Sequence, residues 1–215
     1  MVHLGTASLD LSPPPRPDGY RELGVALQAW GNLTGYRGPR EHLWLVLTAA
    51  RRLDTAHRQI ERVREGFGQL KEIKPNPMRR MEETLAVLGD AQLAMIALYR
   101  AASAAERITP HVNVPFPALV KQRMEGLKQL RDAFEHADDR ALGYVSRGEK
   151  DPEKAWKSMV VFGKALIGTR EIRYRKWSLG IDKPATGIFL SLRRFIRKAW
   201  LELCHTDFES RHQLP

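Results

Sequence analysis

Residues 40–67, with the sequence REHLWLVLTAARRLDTAHRQIERVREGF, indicate the fold class of this protein. Its apolar positions recur every three or four residues and form one stripe. The stripe consists of Leu43, Leu47, Ala50, Leu53, Ala56 or His57, Ile60 and Val63. This spacing places the apolar side chains on one face of an α-helix, with the charged residues on the remaining surface. The stretch therefore predicts a long amphipathic helix.

Further helices are predicted on both sides of this stretch. The segment 78–105 is rich in Ala, Leu, Met and Glu, which are strong helix formers, and it follows the break KPNP at 74–77. The three prolines of 107–117 make that segment a connection. The sequence DKPATG at 182–187 is predicted to cap the last helix. The predicted helices, apart from the one above, cover 20–32, 78–105, 118–144 and 188–208.

A different pattern appears at 158–181, where β-branched and aromatic residues surround a Gly-Thr break at 168–169. The loose alternation of Ile172, Tyr174 and Lys176 with their neighbours predicts a β-hairpin. The expected fold is all-α: three long helices plus a C-terminal helix, with a small β-hairpin insertion around 158–181. Residues 1–19, rich in Pro, Ser and Gly, are predicted to be a disordered or extended tail, and 20–215 a single domain.

Composition excludes several classes of function. The 215 residues include one cysteine, which excludes an internal disulfide and zinc sites built on cysteine pairs. There is no phosphate-binding glycine motif and no zinc-protease motif, so no cofactor and no metal is expected. Neither a signal peptide nor an unbroken apolar run of about 20 residues is visible, which predicts a cytoplasmic protein without a membrane span.

The formal net charge of +10 is concentrated in one segment, because residues 147–198 hold 14 Lys and Arg against 5 Asp and Glu. Within it, REIRYRKW at 170–177 and LRRFIRKAW at 192–200 interleave cations with aromatic residues. Cations neutralise phosphates and aromatic faces stack on bases, so the segment is a candidate RNA-binding surface. Its candidate residues are Arg170, Arg173, Tyr174, Arg175, Lys176, Trp177, Arg193, Arg194 and Arg197. The alternative is a solvated basic face whose aromatic residues belong to the core.

The chemistry-bearing motif is QLRDAFEHADDRALG, residues 129–143. The imidazole of His136 can exchange a proton near neutral pH. The guanidinium of Arg131 can hold a phosphate and stabilise the charge that develops on it during cleavage. Asp132 lies four residues before the histidine and can orient its ring. Together these groups suit cleavage of RNA by its own 2′-hydroxyl without a metal. The alternative is a structural one, in which Arg131 simply pairs with Glu135 at i, i+4.

This motif resembles the HEPN superfamily, in which Arg and His are separated by four to six residues with a polar residue directly after the Arg. The wider segment, with Phe134, Glu135 and His136 followed by Asp138, Asp139 and Arg140, is similar to uncharacterised bacterial HEPN-like proteins. The resemblance covers roughly 40–145. It implies an all-α fold, a homodimer, and in many members a metal-independent ribonuclease of toxin–antitoxin or phage-defence systems. Asp132 stands where asparagine is frequent, and its charge would repel an RNA phosphate.

Two hypotheses follow from the sequence. In the first, the chain is a HEPN-like endoribonuclease whose homodimer brings Arg131, Asp132 and His136 of both copies around the scissile phosphate, with a possible antitoxin as partner. In the second, it is a non-catalytic HEPN-like module that binds nucleic acid or a partner protein through the same basic segment.

Overall fold

The computed structural model confirms the predicted fold class, since the described residues are mainly α-helical with small antiparallel strand pairs. The structure describes residues 22–34, 36–72, 77–135, 144–146, 149–154, 170–174 and 176–212. Its helices are α1 (Leu23–Thr34), α2 (Arg40–Glu72), α3 (Pro77–Ile108), a 3-10 turn (Thr109–His111), α4 (Ala118–Glu135) and α5 (Lys183–His212). Its strands are β1 (Tyr144–Ser146), β2 (Glu149–Lys150), β3 (Glu171–Tyr174) and β4 (Trp177–Gly180). The predicted tail, 1–19, lies outside the described residues.

Helices α2 and α3 form the main helix pair of the bundle. Both helices bury many alanines, and such small side chains allow two helix backbones to approach closely. The buried alanines are Ala49, Ala50 and Ala56 on α2 and Ala91, Ala94, Ala97, Ala101, Ala102, Ala104 and Ala105 on α3. Gly66 of α2 is part of the same close packing, because a Cβ atom there would clash with the side chain of Val87 on α3. The small side chains at these positions therefore set the distance between α2 and α3.

A buried carboxylate fixes the position of α1. Asp54 of α2 is 3% exposed, and its two oxygens accept hydrogen bonds from the backbone N–H groups of Leu23 (3.0 Å) and Gly24 (2.7 Å). These are N–H groups of the first turn of α1, which have no partner inside the helix. A Cβ atom on Gly24 would lie 2.8 Å from Cγ of Arg51, so the close approach of α1 to α2 requires glycine there.

Arg64 of α2 connects the bundle to the start of α5. Its guanidinium donates hydrogen bonds to the carbonyl of Ile181 (3.2 Å) and the hydroxyl of Thr186 (2.8 Å). Its Nε also lies 3.8 Å from a carboxylate oxygen of Asp182. Arg170, just before β3, approaches the same oxygen at 3.1 Å. These contacts hold the β3–β4 hairpin and the first turn of α5 against α2.

The predicted helix boundaries differ most from the structure at three places. The third long helix was predicted to reach Tyr144, but Tyr144 begins strand β1, which pairs with β2 through a register irregularity. The β-branched and aromatic residues there favour a strand over a helix. Of the segment DKPATG only Asp182 precedes α5, because the helix already starts at Lys183. Pro184 fits there, since proline is favoured in the first turn of a helix. Helix α2 continues to Glu72, beyond the predicted end at Phe67.

Strands β3 and β4 fall in the second half of the predicted hairpin. They pair antiparallel from Glu171 with Gly180 to Tyr174 with Trp177. The first half of the predicted segment, 158–169, lies outside the described residues. The hairpin packs on α4 and its second strand also contacts α5, so it closes the end of the bundle where those helices meet.

Helix α3 with the turn after it, Pro77–His111, has the length and composition of a membrane span. Charged residues interrupt this segment, so it contains no unbroken apolar run of about 20 residues, the pattern on which the prediction of no membrane span rests. A buried core helix passes the same test, so one such helix is weak evidence for a membrane protein. In the structure α3 buries a face that includes Met95, Leu98 and Ile108.

Candidate functional site

Arg131, the predicted phosphate-binding residue, lies near the end of α4 and contacts both its own helix and α3. Its guanidinium is 2.5 Å from Oδ1 of Asp132 and 2.8 Å from Oε2 of Glu135. It also stacks over the ring of Tyr99 on α3, 4.6 Å from the centroid. Arg100 of α3 approaches the other oxygen of Glu135 at 2.9 Å. The structural alternative for this motif, a pair between Arg131 and Glu135, is therefore present.

These five residues, hereafter the Arg131 cluster, are balanced in charge: two guanidinium groups face two carboxylates. The side chain of Arg131 is only 21% exposed. A phosphate would have to displace a carboxylate to bind Arg131, because charge-assisted pairs of this kind are among the stronger hydrogen bonds. Asp132, predicted to orient His136, pairs with Arg131 through Oδ1. His136 lies outside the described residues, so its role stays a prediction.

The β3–β4 hairpin separates its predicted RNA-binding residues into different environments. Tyr174 is 4% exposed and shares the inner face of β3 with Ile172, so its ring belongs to the core. Its predicted stacking on RNA bases is therefore wrong, and the cause is the strand period: residues two apart point to the same face. Trp177, on the facing strand, is half-buried and keeps part of its ring at the surface.

Two hairpin cations are already paired within the chain. Arg173 forms an ion pair with Glu171, two residues away on the same strand. Arg170 pairs with Asp182 and stacks over Phe67, 5.0 Å from the ring centroid. Arg170 also has a positive φ of 54°, a conformation that costs energy for a residue other than glycine. Arg170 thus supports the hairpin junction, and Arg175 lies outside the described residues.

Lys176 and Trp177 line a groove of about 220 Å³ between the hairpin and α4, hereafter the hairpin groove. Gln122 and Arg123 of α4 also line this groove, and neither was predicted as a site residue from the sequence. Lys176 places its ammonium 5.0 Å from the centroid of the Trp177 ring. The same indole lies close to Gly126 of α4, where a Cβ atom would lie 3.3 Å from the ring atom Cε3. The groove thus combines an aromatic face, two cations and an amide.

Helix α5 directs its aromatic residues inward and its cations outward. Phe195 and Trp200 are each 2% exposed and belong to the core, as the alternative interpretation of this segment expected. Arg194 and Arg197 are exposed, and Arg193 is half-buried. Arg193 and Arg197 line a second groove, between α5 and α1, that shares no residue with the hairpin groove.

Two side chains have shifted pKa values. Hydrogen bonds from Ser178 and Arg173 hold the pKa of Glu171 below its usual range. Burial, together with the nearby imidazole of His111, lowers the pKa of His42, and the two rings stack 3.9 Å apart. Among the residues that the structure describes, no three His, Cys, Asp or Glu side chains cluster as metal ligands.

These observations define a mainly helical protein with a neutral charge cluster at one place and a cationic, aromatic groove at another. Comparisons with protein-family models, with curated proteins and with solved structures find no match to this chain.

Proposed function

We propose that this chain is a HEPN-like helical module that binds single-stranded RNA through the hairpin groove. The observation that supports this function is the meeting of Trp177 and Lys176 from the hairpin with Arg123 from α4 along one groove. Proteins that bind single strands combine cations that follow the backbone with aromatic rings on which bases stack. A groove of about 220 Å³ is a position for one base, with the strand continuing over the surrounding surface.

Charge in the groove supports the same assignment. Neither Lys176 nor Arg123 forms an ion pair within the described part of the chain, whereas Arg131, Arg170 and Arg173 all do. An unpaired surface cation can bind a phosphate without first losing an internal partner, and it releases counterions when it binds. Gln122 adds a donor and an acceptor that can hydrogen-bond to a base edge or a ribose hydroxyl.

The direct test is binding of a fluorescently labelled, mixed-sequence single-stranded RNA to the full chain, measured by anisotropy at several salt concentrations. We expect the double variant Lys176→Gln/Arg123→Gln to weaken binding about tenfold or more, since two phosphate contacts are lost. The matched control is Arg52→Gln/Arg80→Gln, which removes two exposed cations that lie outside the groove and were not predicted to bind RNA. Equal weakening by both double variants would mean that the RNA contacts net charge rather than this groove.

The endoribonuclease remains a second candidate because of one specific arrangement. Arg100 and Arg131, from two different helices, converge on Glu135 at 2.9 Å and 2.8 Å, and Glu135 is the residue directly before His136. Two guanidinium groups that converge on one carboxylate are suited to a phosphate that displaces it. The expected homodimer, antitoxin partner and cytoplasmic localisation stay predictions.

Incubation with mixed-sequence RNA in EDTA separates the two candidates. Cleavage by the wild-type chain but not by His136→Ala, with 2′,3′-cyclic phosphate ends, would establish the nuclease. Intact RNA with both proteins, together with groove-dependent binding, would leave the binding module. Circular dichroism of both proteins checks that the substitution does not unfold the chain.

A further inference from the structure

A second groove lies between α1 and α5, away from every residue that carries the proposed RNA binding. Helix α1 packs mainly against α2 and leaves an opening of about 370 Å³ beside α5. This volume is in the range of small-molecule sites, which begin at about 300 Å³. The floor and one wall are apolar, formed by Leu23, Leu27 and Leu201 with the indoles of Trp30 and Trp200.

The charge of the groove selects the sign of its ligand. Arg193 and Arg197, four residues apart on one face of α5, both line it. The one carboxylate in the lining, Glu22, lies 3.6 Å from Arg58 of α2. Arg197 is exposed and forms no ion pair with any residue that the structure describes. The N–H groups at the start of α1 are already bound to Asp54, so the cationic groups of the site are the arginines.

The aromatic residues select the shape of the ligand. Trp30 lines the groove and is 40% exposed. Trp200 also lines the groove but is only 2% exposed, so its indole belongs mainly to the core. Aromatic side chains prefer offset or edge contacts with other rings, which a planar ligand can make with the exposed indole of Trp30.

We propose that the α1–α5 groove binds a small aromatic anion, with its ring against Trp30 and its carboxylate or phosphate on Arg197. Two common sources have this chemistry, a nucleoside monophosphate and an aromatic carboxylic acid. The site is independent of the RNA-binding proposal, because the two grooves share no residue.

The experiment is isothermal titration of the full chain with adenosine 5′-monophosphate and with indole-3-acetate. Each is compared with its neutral counterpart, adenosine or indole-3-ethanol. We expect at least one anion to bind with a Kd below the millimolar range and about tenfold more tightly than its neutral counterpart, as one charge-assisted hydrogen bond predicts. Binding of the nucleotide alone identifies a nucleotide site, and binding of indole-3-acetate alone identifies an aromatic-acid site.

Two variants localise the binding. Arg197→Gln is expected to reduce the affinity for the anion to that of the neutral compound. Arg194→Gln removes an exposed cation of the same helix that does not line the groove and is expected to have no effect. In NMR spectra, the indole N–H signals of Trp30 and Trp200 should shift on binding. Absence of binding by both anions at millimolar concentration, or equal losses in the two variants, would overturn the proposal.

Discussion

The Arg131 cluster and the hairpin groove both display arginine or lysine beside an aromatic ring, yet they differ in what surrounds the cations. Arg131 stacks on Tyr99 and faces two carboxylates. Lys176 lies over Trp177 in a groove with no carboxylate among the described residues that line it. The first arrangement compensates its charge within the chain, while the second leaves its cations without a carboxylate from the described lining. The number of cations in the sequence does not distinguish the Arg131 cluster from the hairpin groove.

The comparison also shows how one helix can serve two purposes. Arg123 and Arg131 are eight residues apart on α4. The first lines the hairpin groove and the second is held against α3. Substitutions at these two positions should therefore separate binding from stability.

The largest effect is expected from Trp177→Ala. Loss of a base-stacking ring costs about 1–3 kcal/mol per base, which corresponds to about 5- to 150-fold in RNA affinity. The measurement is anisotropy with single-stranded RNA. Trp44→Ala is the matched control, because Trp44 is 58% exposed on α2 and lies outside the groove. Since the Trp177 ring also packs on Gly126, a thermal melt must accompany the titration. An unchanged affinity in a folded Trp177→Ala protein would remove stacking from the proposal.

The next effect concerns stability rather than binding. Arg131→Met leaves Asp132 and Glu135 facing each other beside Tyr99 without their main cation. We expect a loss of about 1–3 kcal/mol in the free energy of unfolding, because hydrogen bonds to charged groups have been removed. Urea denaturation measures it, with Arg123→Met on the same helix as the control, which should change stability by less than about 0.5 kcal/mol. RNA affinity should respond in the opposite way, weakening in Arg123→Met and staying at the wild-type value in Arg131→Met.

The same two variants can also show that the Arg131 cluster binds phosphate. If Arg131→Met weakens RNA binding as strongly as Arg123→Met while the protein remains folded, the cluster must open to bind phosphate. The second candidate function would then be favoured, and His136 would become the next residue to replace.

A smaller effect is expected in the salt dependence of binding. For single strands the slope of log K against log salt concentration changes by about 0.7 for each phosphate contact. Lys176→Gln should therefore flatten the slope by about 0.7, whereas Arg173→Gln should flatten it less, because Arg173 is already paired with Glu171. Equal changes of slope in the two variants would show that the internal pair does not reduce the contribution of Arg173.

The helical architecture could be predicted because the periodicity of apolar residues is a local signal. Stripes such as that of 40–67 specify a buried face wherever the helix lies, and the observed α2 follows that stripe and continues to Glu72. The helix ends were less predictable. At Tyr144 the strand depends on pairing with Lys150, a contact that periodicity does not contain.

The candidate site was predictable in kind but not in its residues. Interleaving of cations and aromatics pointed to Lys176 and Trp177, which line the hairpin groove, but it gave the same weight to Tyr174, Phe195 and Trp200, which are buried. Gln122 and Arg123 are joined to them only by the packing of the hairpin on α4. The one local signal for that packing was Gly126, since a glycine inside a helix often marks the close approach of another group.

The smallest expected effect is a dependence of stability on pH through Glu171. Hydrogen bonds from Ser178 and Arg173 lower the pKa of Glu171 in the folded state. The folded chain therefore binds fewer protons than the unfolded chain at acidic pH, and stability must fall as pH falls. The contribution is complete above the unfolded pKa of about 4.3 and is lost as the pH drops through the lower folded pKa. Urea denaturation at neutral and at acidic pH should show a smaller loss of stability in Glu171→Gln than in the wild type.

The same variant tests whether the pairing of hairpin charges controls binding. Glu171→Gln removes the carboxylate that faces Arg173 and leaves its hydrogen-bonding shape nearly intact. At neutral pH we expect RNA to bind a few-fold more tightly, because one more hairpin cation becomes available to a phosphate. Gln122→Glu should act in the opposite direction, since it places a carboxylate in the groove beside Lys176 and Arg123. If both substitutions leave the affinity unchanged, compensation by neighbouring carboxylates is not what separates the hairpin groove from the Arg131 cluster.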